Sequence, residues 1–160
     1  MPRIINPRSI APPASHYAHG IVHSGRSRRL LVSGQVGITL DGTPASDLAG
    51  QMELAWDNLE AVLREAGMAV QDLVKIVVYA TVPGSVGLYR TIRDRRLGGH
   101  LVAATYVEVA ALASPAYLVE IEGEAVCEDA EMAFLDMPRE AEIGATGGGG
   151  SHRARPAGQE

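Results

Sequence analysis

The fold follows most directly from residues 46–81, which read SDLAGQMELAWDNLEAVLREAGMAVQDLVKIVVYAT. Apolar residues recur there at steps of three and four, the period of one helical face, at Leu48, Met52, Ala55, Leu59, Val62, Leu63 and Ala66. Ser46 can cap the start of this helix, Asp47 suits its positive end, and Gly67 can end it in a left-handed conformation. Residues 73–81 are rich in Val and Ile and therefore predict a strand directly after the helix.

Strands and a second helix are predicted on both sides of this unit. Upstream, residues 1–15 form an extended lead-in, and two β-prone runs flank a turn at Gly25 that favours a hairpin. Downstream, a second apolar pattern at helical spacing starts after residues 83–85 and stops at Gly98-Gly99. The predicted strands are residues 20–24, 29–36, 73–81, 101–110 and 117–126. The order β-β-α-β-α-β-β predicts an α/β (α+β) class, with two helices packed on one face of a mixed sheet.

Length and composition favour one domain with a short extension. The chain has 160 residues, of which 46% are hydrophobic and 21% are charged, and these values are ordinary for a globular protein. Aromatic residues make up only 4%, so the core must consist mainly of aliphatic side chains. After Pro138 large apolar residues almost disappear and a glycine run follows. We therefore assign the folded domain to residues 1–138 and a disordered Gly-rich tail to residues 139–160.

Charge and cysteine content narrow the functional classes. The formal net charge of -5 argues against nucleic-acid binding, because affinity for phosphates comes largely from Lys and Arg. Cys127 is the single cysteine, which rules out an intrachain disulfide or a thiolate zinc cluster and favours a reducing compartment. No apolar run approaches the length of a membrane span, and prolines break up any N-terminal signal helix. We predict a cytoplasmic protein without a membrane partner.

Several motifs, in the same order along the chain, resemble the Rid (YjgF-type) family. They are Ser33-Gly34-Gln35-Val36-Gly37, Asp57-Asn58-Leu59 with Glu65-Ala66-Gly67, Asp72-Leu73-Val74-Lys75, residues 106–112 (YVEVAAL) and residues 119–126 (VEIEGEAV). The resemblance spans about residues 14–128 and implies a chorismate-mutase-like fold and a barrel-like homotrimer with ligand clefts between neighbouring subunits. It also implies hydrolysis of reactive 2-enamine and 2-imino acids to 2-keto acids with release of ammonia, without a metal or an organic cofactor.

The resemblance carries over to the site residues only in part. Tyr17 falls where the family has a tyrosine that closes the pocket, and Glu120 falls where a glutamate orients water for attack on the iminium carbon. Ala104 occupies the place of the arginine that holds the substrate carboxylate, and Tyr106 takes a neighbouring cysteine or threonine position. A charge-assisted pair of this kind contributes on the order of 1.5–3 kcal/mol. We therefore expect weak binding of ordinary 2-imino acids unless another cation replaces the arginine.

Other basic residues are candidates for the altered cleft. His100 precedes the strand of Ala104 and can act as an acid, a base or an anion contact, although a loop histidine beside a helix end is the simpler interpretation. Arg90 and Arg93 are candidates to supply the missing charge across a subunit boundary. The run of residues 93–96 is otherwise expected on a solvated helix face.

Two further clusters have ordinary explanations. Glu120, Glu122 and Glu124 alternate along one strand and so share one face, where Glu122 and Glu124 are interpreted as a polar row facing solvent or the trimer. Three histidines are close together near the N-terminus, but in a loop and strand their spacing does not direct them to one point. No metal site is predicted from this group, which consists of His16, His19 and His23.

The leading hypothesis is a divergent enzyme, deaminase- or hydrolase-like, that acts on a small imine, enamine or related carbonyl compound in the inter-subunit cleft. The reaction could be a specialised biosynthetic step, with Glu120 polarising water or removing a proton while Tyr17 and Tyr106 shape the pocket. The alternative is a trimer that binds a metabolite or partner protein without catalysis, which the missing arginine favours. A ribonuclease activity, also associated with the family, is the weakest hypothesis for an acidic chain.

Overall fold

Six strands and two α-helices form within residues 3–9, 13, 15–22 and 27–128, the part of the chain that the computed structural model describes. The strands are β1 (Arg3–Ile5), β2 (Gly20–Val22), β3 (Ser27–Val36), β4 (Leu73–Ala80), β5 (Ala103–Glu108) and β6 (Val119–Glu128). The helices are α1 (Leu48–Glu65) and α2 (Val86–Leu97), and a short 3₁₀ turn (Val70–Asp72) precedes β4. The predicted order is confirmed from β2 onward, with β1 added inside the predicted lead-in. The predicted tail and turn glycine Gly25 lie outside the described residues.

The central sheet is mixed, as predicted, with strand order β3-β6-β4-β5. β4 and β5 run parallel, and β6 is antiparallel to both β3 and β4. The parallel pair arises because α2 provides the crossover that two parallel neighbours require. In the described part of a single chain this sheet keeps two edges, β3 and β5, and does not close into a barrel.

The sequence predicted a hairpin between residues 20–24 and 29–36, which correspond to β2 and β3. This pairing is wrong, because β2 pairs with β1 and not with β3. The segment before β2 is attached at the other edge of the sheet, where the Ala18 N–H donates to the Val102 carbonyl at 3.0 Å, just before β5. β3 lies at the opposite edge of the sheet. The turn signal at Gly25 in the sequence does not reveal this arrangement, because turn chemistry specifies only local geometry.

The helix α1 forms where the periodic apolar residues predict it. Its apolar stripe packs against β3 and β6, with Trp56 and Leu59 fully buried. The N-cap is Asp47 rather than the predicted Ser46, since the Asp47 carboxylate accepts the Gly50 N–H at 2.7 Å. Gly67 has φ 66° and leaves the helix in the left-handed conformation, as predicted.

The core between the helices and the sheet is largely aliphatic, as the low aromatic content leads one to expect. Trp56 and Tyr89 are its fully buried aromatic residues among those described, and Leu, Ile, Val and Met side chains fill most of the remainder. None of the helices in the described ranges has the length and hydrophobicity needed to cross a bilayer.

The two faces of the sheet differ in chemistry. The face covered by the helices holds buried apolar residues such as Ile76, Val78 and Ile121. The opposite face, called the open face below, carries Leu31, Lys75, Val77, Tyr79, Thr105, Val107, Glu120, Glu122 and Glu124. Leu31 is 67% exposed and Val107 is 38% exposed there, so this face combines charged groups with uncovered apolar ones.

Candidate functional site

A cavity of about 230 Å³ lies between α2, β5 and the loop before β2 and is called the α2–β5 cavity below. Four of the predicted site residues meet in its wall: Tyr17, Arg90, Ala104 and Tyr106. The other described wall residues are Ser15, Val86, Tyr89, Arg93 and Thr105. The fold brings these distant segments together because Tyr89 of α2 stacks on Tyr106 of β5, and because the loop before β2 is hydrogen-bonded to Val102.

A pair of stacked tyrosines forms one side of the cavity. The rings of Tyr89 and Tyr106 are 5.2 Å apart at an interplanar angle of 26°. The Tyr106 hydroxyl lies 2.6 Å from the Ser85 hydroxyl, which is buried and also donates to the Val82 carbonyl at 2.6 Å. The Tyr89 hydroxyl is buried without a hydrogen-bond partner among the described residues. Burial raises the pKa of Tyr89, so its hydroxyl keeps its proton and is a hydrogen-bond donor at neutral pH.

Arg93 contributes a buried cation to the same wall, contrary to the expectation of a solvated helix face. Its side chain is only 3% exposed, and its Nε and Nη2 atoms donate to Asp94 Oδ1 at 2.9 and 2.7 Å. The guanidinium carbon lies 5.6 Å from the centre of the Tyr89 ring, in a cation–π arrangement. Arg90 also lines the cavity but is exposed. Sequence reasoning named Arg93 only as a cross-subunit candidate and did not identify Tyr89 or Ser85.

The loop that carries Tyr17 is held against the start of β5. The Tyr17 N–H donates to the Ser15 carbonyl at 2.9 Å, and the next residue, Ala18, donates to Val102. The Tyr17 ring meets the His19 ring edge-on at 5.8 Å. Ala104 lies on β5, two residues after Val102. Its short side chain leaves open the space that an arginine would occupy.

Glu120 lies on the open face, on the other side of the sheet from Ala104 and Tyr106. It is half-buried, sits opposite Val36 on β3 and Tyr79 on β4, and accepts no hydrogen bond from the described residues. Its neighbours along the strand are paired: the Tyr79 hydroxyl donates to Glu122 at 3.3 Å, and Arg29 bonds Glu124 at 2.7 Å. Glu120 is therefore the carboxylate of this row that is left available.

The glycines of the Ser-Gly-Gln-Val-Gly motif give Glu120 its place. A Cβ atom added at Gly34 would overlap the Glu120 carboxylate, and one added at Gly37 would overlap the backbone of Gln51 on α1. The Gln51 side chain in turn donates to the Ala116 carbonyl and accepts from the Leu118 N–H, both at 2.8 Å. These contacts fix the segment that enters β6 immediately before Glu120.

Within one chain, the predicted site residues therefore fall into three places. The α2–β5 cavity holds Tyr17, Arg90, Ala104 and Tyr106, whereas Glu120 is on the open face. His100 lies apart from both, with its Nε2 atom 2.7 Å from the Leu73 carbonyl. It lines an apolar crevice of about 260 Å³ between the start of β4, residues 99–101 and one residue each of β1 and β2. A site that uses both Glu120 and the cavity requires more than one chain.

Two clusters remain, the histidines near the N-terminus and the basic residues at the end of α2, and among the described residues neither forms a binding site. Among residues 3–9, 13, 15–22 and 27–128, no three His, Cys, Asp or Glu side chains come close enough to hold a metal ion. His23 lies outside these ranges. Arg95 and Arg96 are paired with carboxylates of α1 and so connect the two helices.

Comparison with known sequences identifies the family. The profile of the family described as endoribonuclease L-PSP matches residues 8–127. The RutC family protein YjgH of Escherichia coli K12 is 41% identical over 70 residues, which are 44% of this chain and 52% of that protein. The matched segment thus spans about half the length of this curated relative.

Solved structures are similar over nearly the whole of their chains. YyfB of Yersinia pestis, a protein of the Rid family, is 30% identical with a TM-score of 0.71, over 79% of this chain and 98% of its own. YyfA of the same organism, also of the Rid family, is 28% identical with a TM-score of 0.59, over 79% of this chain and all of its own length, 100%. The predicted fold class and family resemblance are confirmed.

Proposed function

Because the chain belongs to the endoribonuclease L-PSP family, which includes the Rid and YjgF-type proteins, we propose that it hydrolyses a small imine, enamine or related carbonyl compound without a cofactor. The observation that supports this proposal is the α2–β5 cavity, which is lined by Tyr17, Ala104 and Tyr106, the residues that the resemblance aligns with family site residues. Its volume of about 230 Å³ is below the range of pockets for drug-sized ligands and suits a small metabolite.

We also propose that the protein acts as a homotrimer with its site between subunits. Glu120 and the cavity lie on opposite faces of one sheet, so a neighbouring chain must supply one of them. The open face supports such an assembly, because Leu31 and Val107 leave apolar surface uncovered beside charged side chains. Packing this face against another subunit would bury the apolar surface and place Glu120 in a cleft.

In the proposed step, the Glu120 carboxylate accepts a proton from water as the water oxygen bonds to the imine carbon. The C=N electrons move to nitrogen, which takes up this proton from Glu120 and gives a carbinolamine. Glu120 then accepts the hydroxyl proton of the carbinolamine and passes it to nitrogen as the C–N bond breaks. Ammonia leaves and a C=O bond forms, so that imine plus water gives carbonyl plus ammonia. An enamine enters the same sequence after protonation on carbon. Ordinary short 2-imino acids should react slowly, because Ala104 offers no charge to hold their carboxylate against β5.

The test is release of ammonia and keto acid from freshly generated 2-iminobutyrate and 2-iminopropionate. We expect slow turnover by the native protein, faster turnover by Ala104→Arg, and loss of that gain when Glu120→Gln is added. Replacing Glu120 removes the water-orienting carboxylate with little change in size, so the expected loss is about 10²–10⁴-fold. Rapid turnover by the native protein would contradict the specificity change, and an unaffected Glu120→Gln variant would contradict the assigned role.

A second candidate function is a trimer that binds a metabolite without converting it. The observation that favours it is the pairing of the Tyr106 hydroxyl with Ser85, which leaves that hydroxyl less available to a reacting ligand. This function predicts a ligand recovered unchanged, with Glu120→Gln altering affinity and no rate. RNA cleavage is the weaker alternative despite the family description, because a net charge of -5 disfavours phosphate binding.

We retain residues 1–138 as the proposed domain and a cytoplasmic location as the proposed compartment. The family match at residues 8–127 supports the first, and the single cysteine supports the second. Limited proteolysis should remove residues after 138 and leave a stable core fragment. Cleavage inside residues 27–128 at the same protease concentration would contradict this boundary.

A further inference from the structure

We propose that Arg93 binds the anionic group of the ligand in the α2–β5 cavity, in place of the arginine that is absent at position 104. This inference rests on the proposed function for the reacting group and adds the class of substrate. The protein would select imine or carbonyl compounds that carry a carboxylate held against α2 rather than against β5. Arg93 would thus be a specificity-determining residue within one chain.

The first argument is the incomplete pairing of a buried charge. Arg93 is 3% exposed, and burying a guanidinium is unfavourable unless its donors are satisfied. Its Nε and Nη2 atoms both bond a single oxygen of Asp94. Nη1 donates to none of the described residues and is not among the fully buried atoms without a partner, so it is accessible to a ligand. A ligand carboxylate that accepts from Nη1 would satisfy this donor.

The second argument is a second unsatisfied donor beside the first. The Tyr89 hydroxyl is buried and has no partner among the described residues. The Tyr89 ring lies against the Arg93 guanidinium and also lines the cavity. Burial raises the pKa of the Tyr89 hydroxyl and the Arg93 guanidinium lowers it by a smaller amount, so the two groups act on one another. A cation and a hydroxyl donor side by side on one helix suit a group with acceptors only, and a carboxylate is such a group.

The third argument is the charge of the cavity wall. Its described residues include two arginines, Arg90 and Arg93, and no acidic side chain. Asp94, the partner of Arg93, is outside the wall and its side chain is 46% exposed. The cavity therefore presents net positive charge to a ligand, and the small Ala104 side chain leaves the approach to α2 open.

The test compares binding of sodium 2-oxobutyrate with binding of 2-butanone, its uncharged counterpart, by NMR titration of the full-length protein. We expect the native protein to prefer the anion by about tenfold to a hundredfold, the range of a charge-assisted hydrogen bond. Arg93→Gln should abolish the preference, because it removes the charge and leaves Asp94 in contact with solvent. Arg95→Gln, on the same helix outside the cavity, should keep it.

Two further variants separate binding from folding. Arg93→Lys should restore part of the preference if Arg93→Gln loses it for lack of charge, and thermal unfolding should show that each variant is folded. Tyr89→Phe should weaken 2-oxobutyrate binding and leave 2-butanone binding unchanged. Equal affinity of the native protein for both probes would overturn the inference, as would loss of the preference in Arg90→Gln with retention in Arg93→Gln.

The same measurements distinguish this inference from the proposed function. Binding of 2-oxobutyrate does not depend on turnover, so an Arg93-dependent preference in a protein that releases no ammonia would support the inference and contradict the hydrolase. Turnover that depends on Glu120 and is indifferent to Arg93 would do the reverse.

Discussion

Arg93 and Arg96 lie one turn apart on α2, yet their surroundings differ. Arg96 donates to three carboxylates of α1 at 2.6–3.3 Å, and these belong to Glu53, Asp57 and Glu60. Arg93 has a single carboxylate partner among the described residues, although its side chain is the less exposed of the two, 3% against 20%. The more deeply buried cation is the less completely paired one.

This difference separates a structural arginine from a candidate binding residue. The partners of Arg96 account for its position, because they connect α1 to α2 through charge-assisted hydrogen bonds. Packing on Tyr89 and two hydrogen bonds to one oxygen of its sequence neighbour do not account for the burial of Arg93 in the same way. Arg93 lines the α2–β5 cavity, and a ligand carboxylate bound there would complete its hydrogen bonding, as proposed above.

The largest effect on stability should come from replacing Arg96, the structural arginine. Arg96→Gln leaves Glu53, Asp57 and Glu60 near one another without their shared cation, so we expect a loss of about 1–3 kcal/mol in the free energy of unfolding. Urea denaturation at neutral pH measures it. Ligand binding should be unchanged.

A matched control is Arg64→Gln, since Arg64 is 65% exposed and pairs with Glu60 at 3.7 Å. That substitution should change stability by less than about 0.5 kcal/mol. Equal losses of stability in Arg64→Gln and Arg96→Gln would show that the Arg96 network contributes no more to stability than an exposed ion pair does.

Glu53, a carboxylate of the Arg96 network, makes the stability of the protein depend on pH. Burial alone would raise the pKa of the Glu53 carboxyl, but hydrogen bonds from Arg96 and Arg95 outweigh it and hold that pKa below its ordinary value. A carboxyl with a lowered pKa in the folded state stabilises the protein at neutral pH. This stabilisation is lost as pH falls through the folded-state pKa, which lies below the ordinary value of about 4.3 for a glutamate.

The measurement is thermal unfolding as a function of pH for the native protein and Glu53→Gln. The native protein should lose more stability than the variant on going from neutral pH to about pH 3. Parallel curves would show that Glu53 and its two arginines do not contribute to acid sensitivity.

Much of the fold was predictable because its signals are local and periodic. The three- and four-residue spacing from Leu48 to Ala66 identified α1, and Gly67 identified its end. The pairing of β2 was not predictable from the turn near Gly25, because it depends on the attachment of Ala18 to Val102, which are far apart in sequence. The cap at Asp47 was missed for a smaller reason, since two adjacent residues were both good caps.

For the candidate site, the family motifs in the sequence indicated residues that the structure can only bring together or keep apart. Tyr17, Ala104 and Tyr106 do share one cavity, but the sequence did not indicate that Glu120 lies on the other face of the sheet. Strand parity could have indicated it, because β5 and β6 each alternate and only one of their two faces is buried. The burial of Arg93 left no comparable signal, since it depends on the packing of α2 beside β5.

The smallest and most specific effect concerns the two hydroxyls of the stacked tyrosines. Tyr106→Phe removes a hydroxyl bonded to Ser85 at 2.6 Å and leaves the buried Ser85 with one partner fewer, so we expect a destabilisation of about 1 kcal/mol. Tyr89→Phe removes a buried hydroxyl that has no partner among the described residues, so it should leave stability unchanged or raise it by less than about 1 kcal/mol. Both variants keep the ring stacking, and chemical denaturation without ligand compares them directly.

If the hydroxyl of Tyr89 is kept for a ligand, Tyr89→Phe should gain stability in the free protein and lose affinity for the anion. Destabilisation of the free protein by Tyr89→Phe as large as that by Tyr106→Phe would instead show that the Tyr89 hydroxyl has a structural partner, and the case for Arg93 would then rest on its own incomplete pairing.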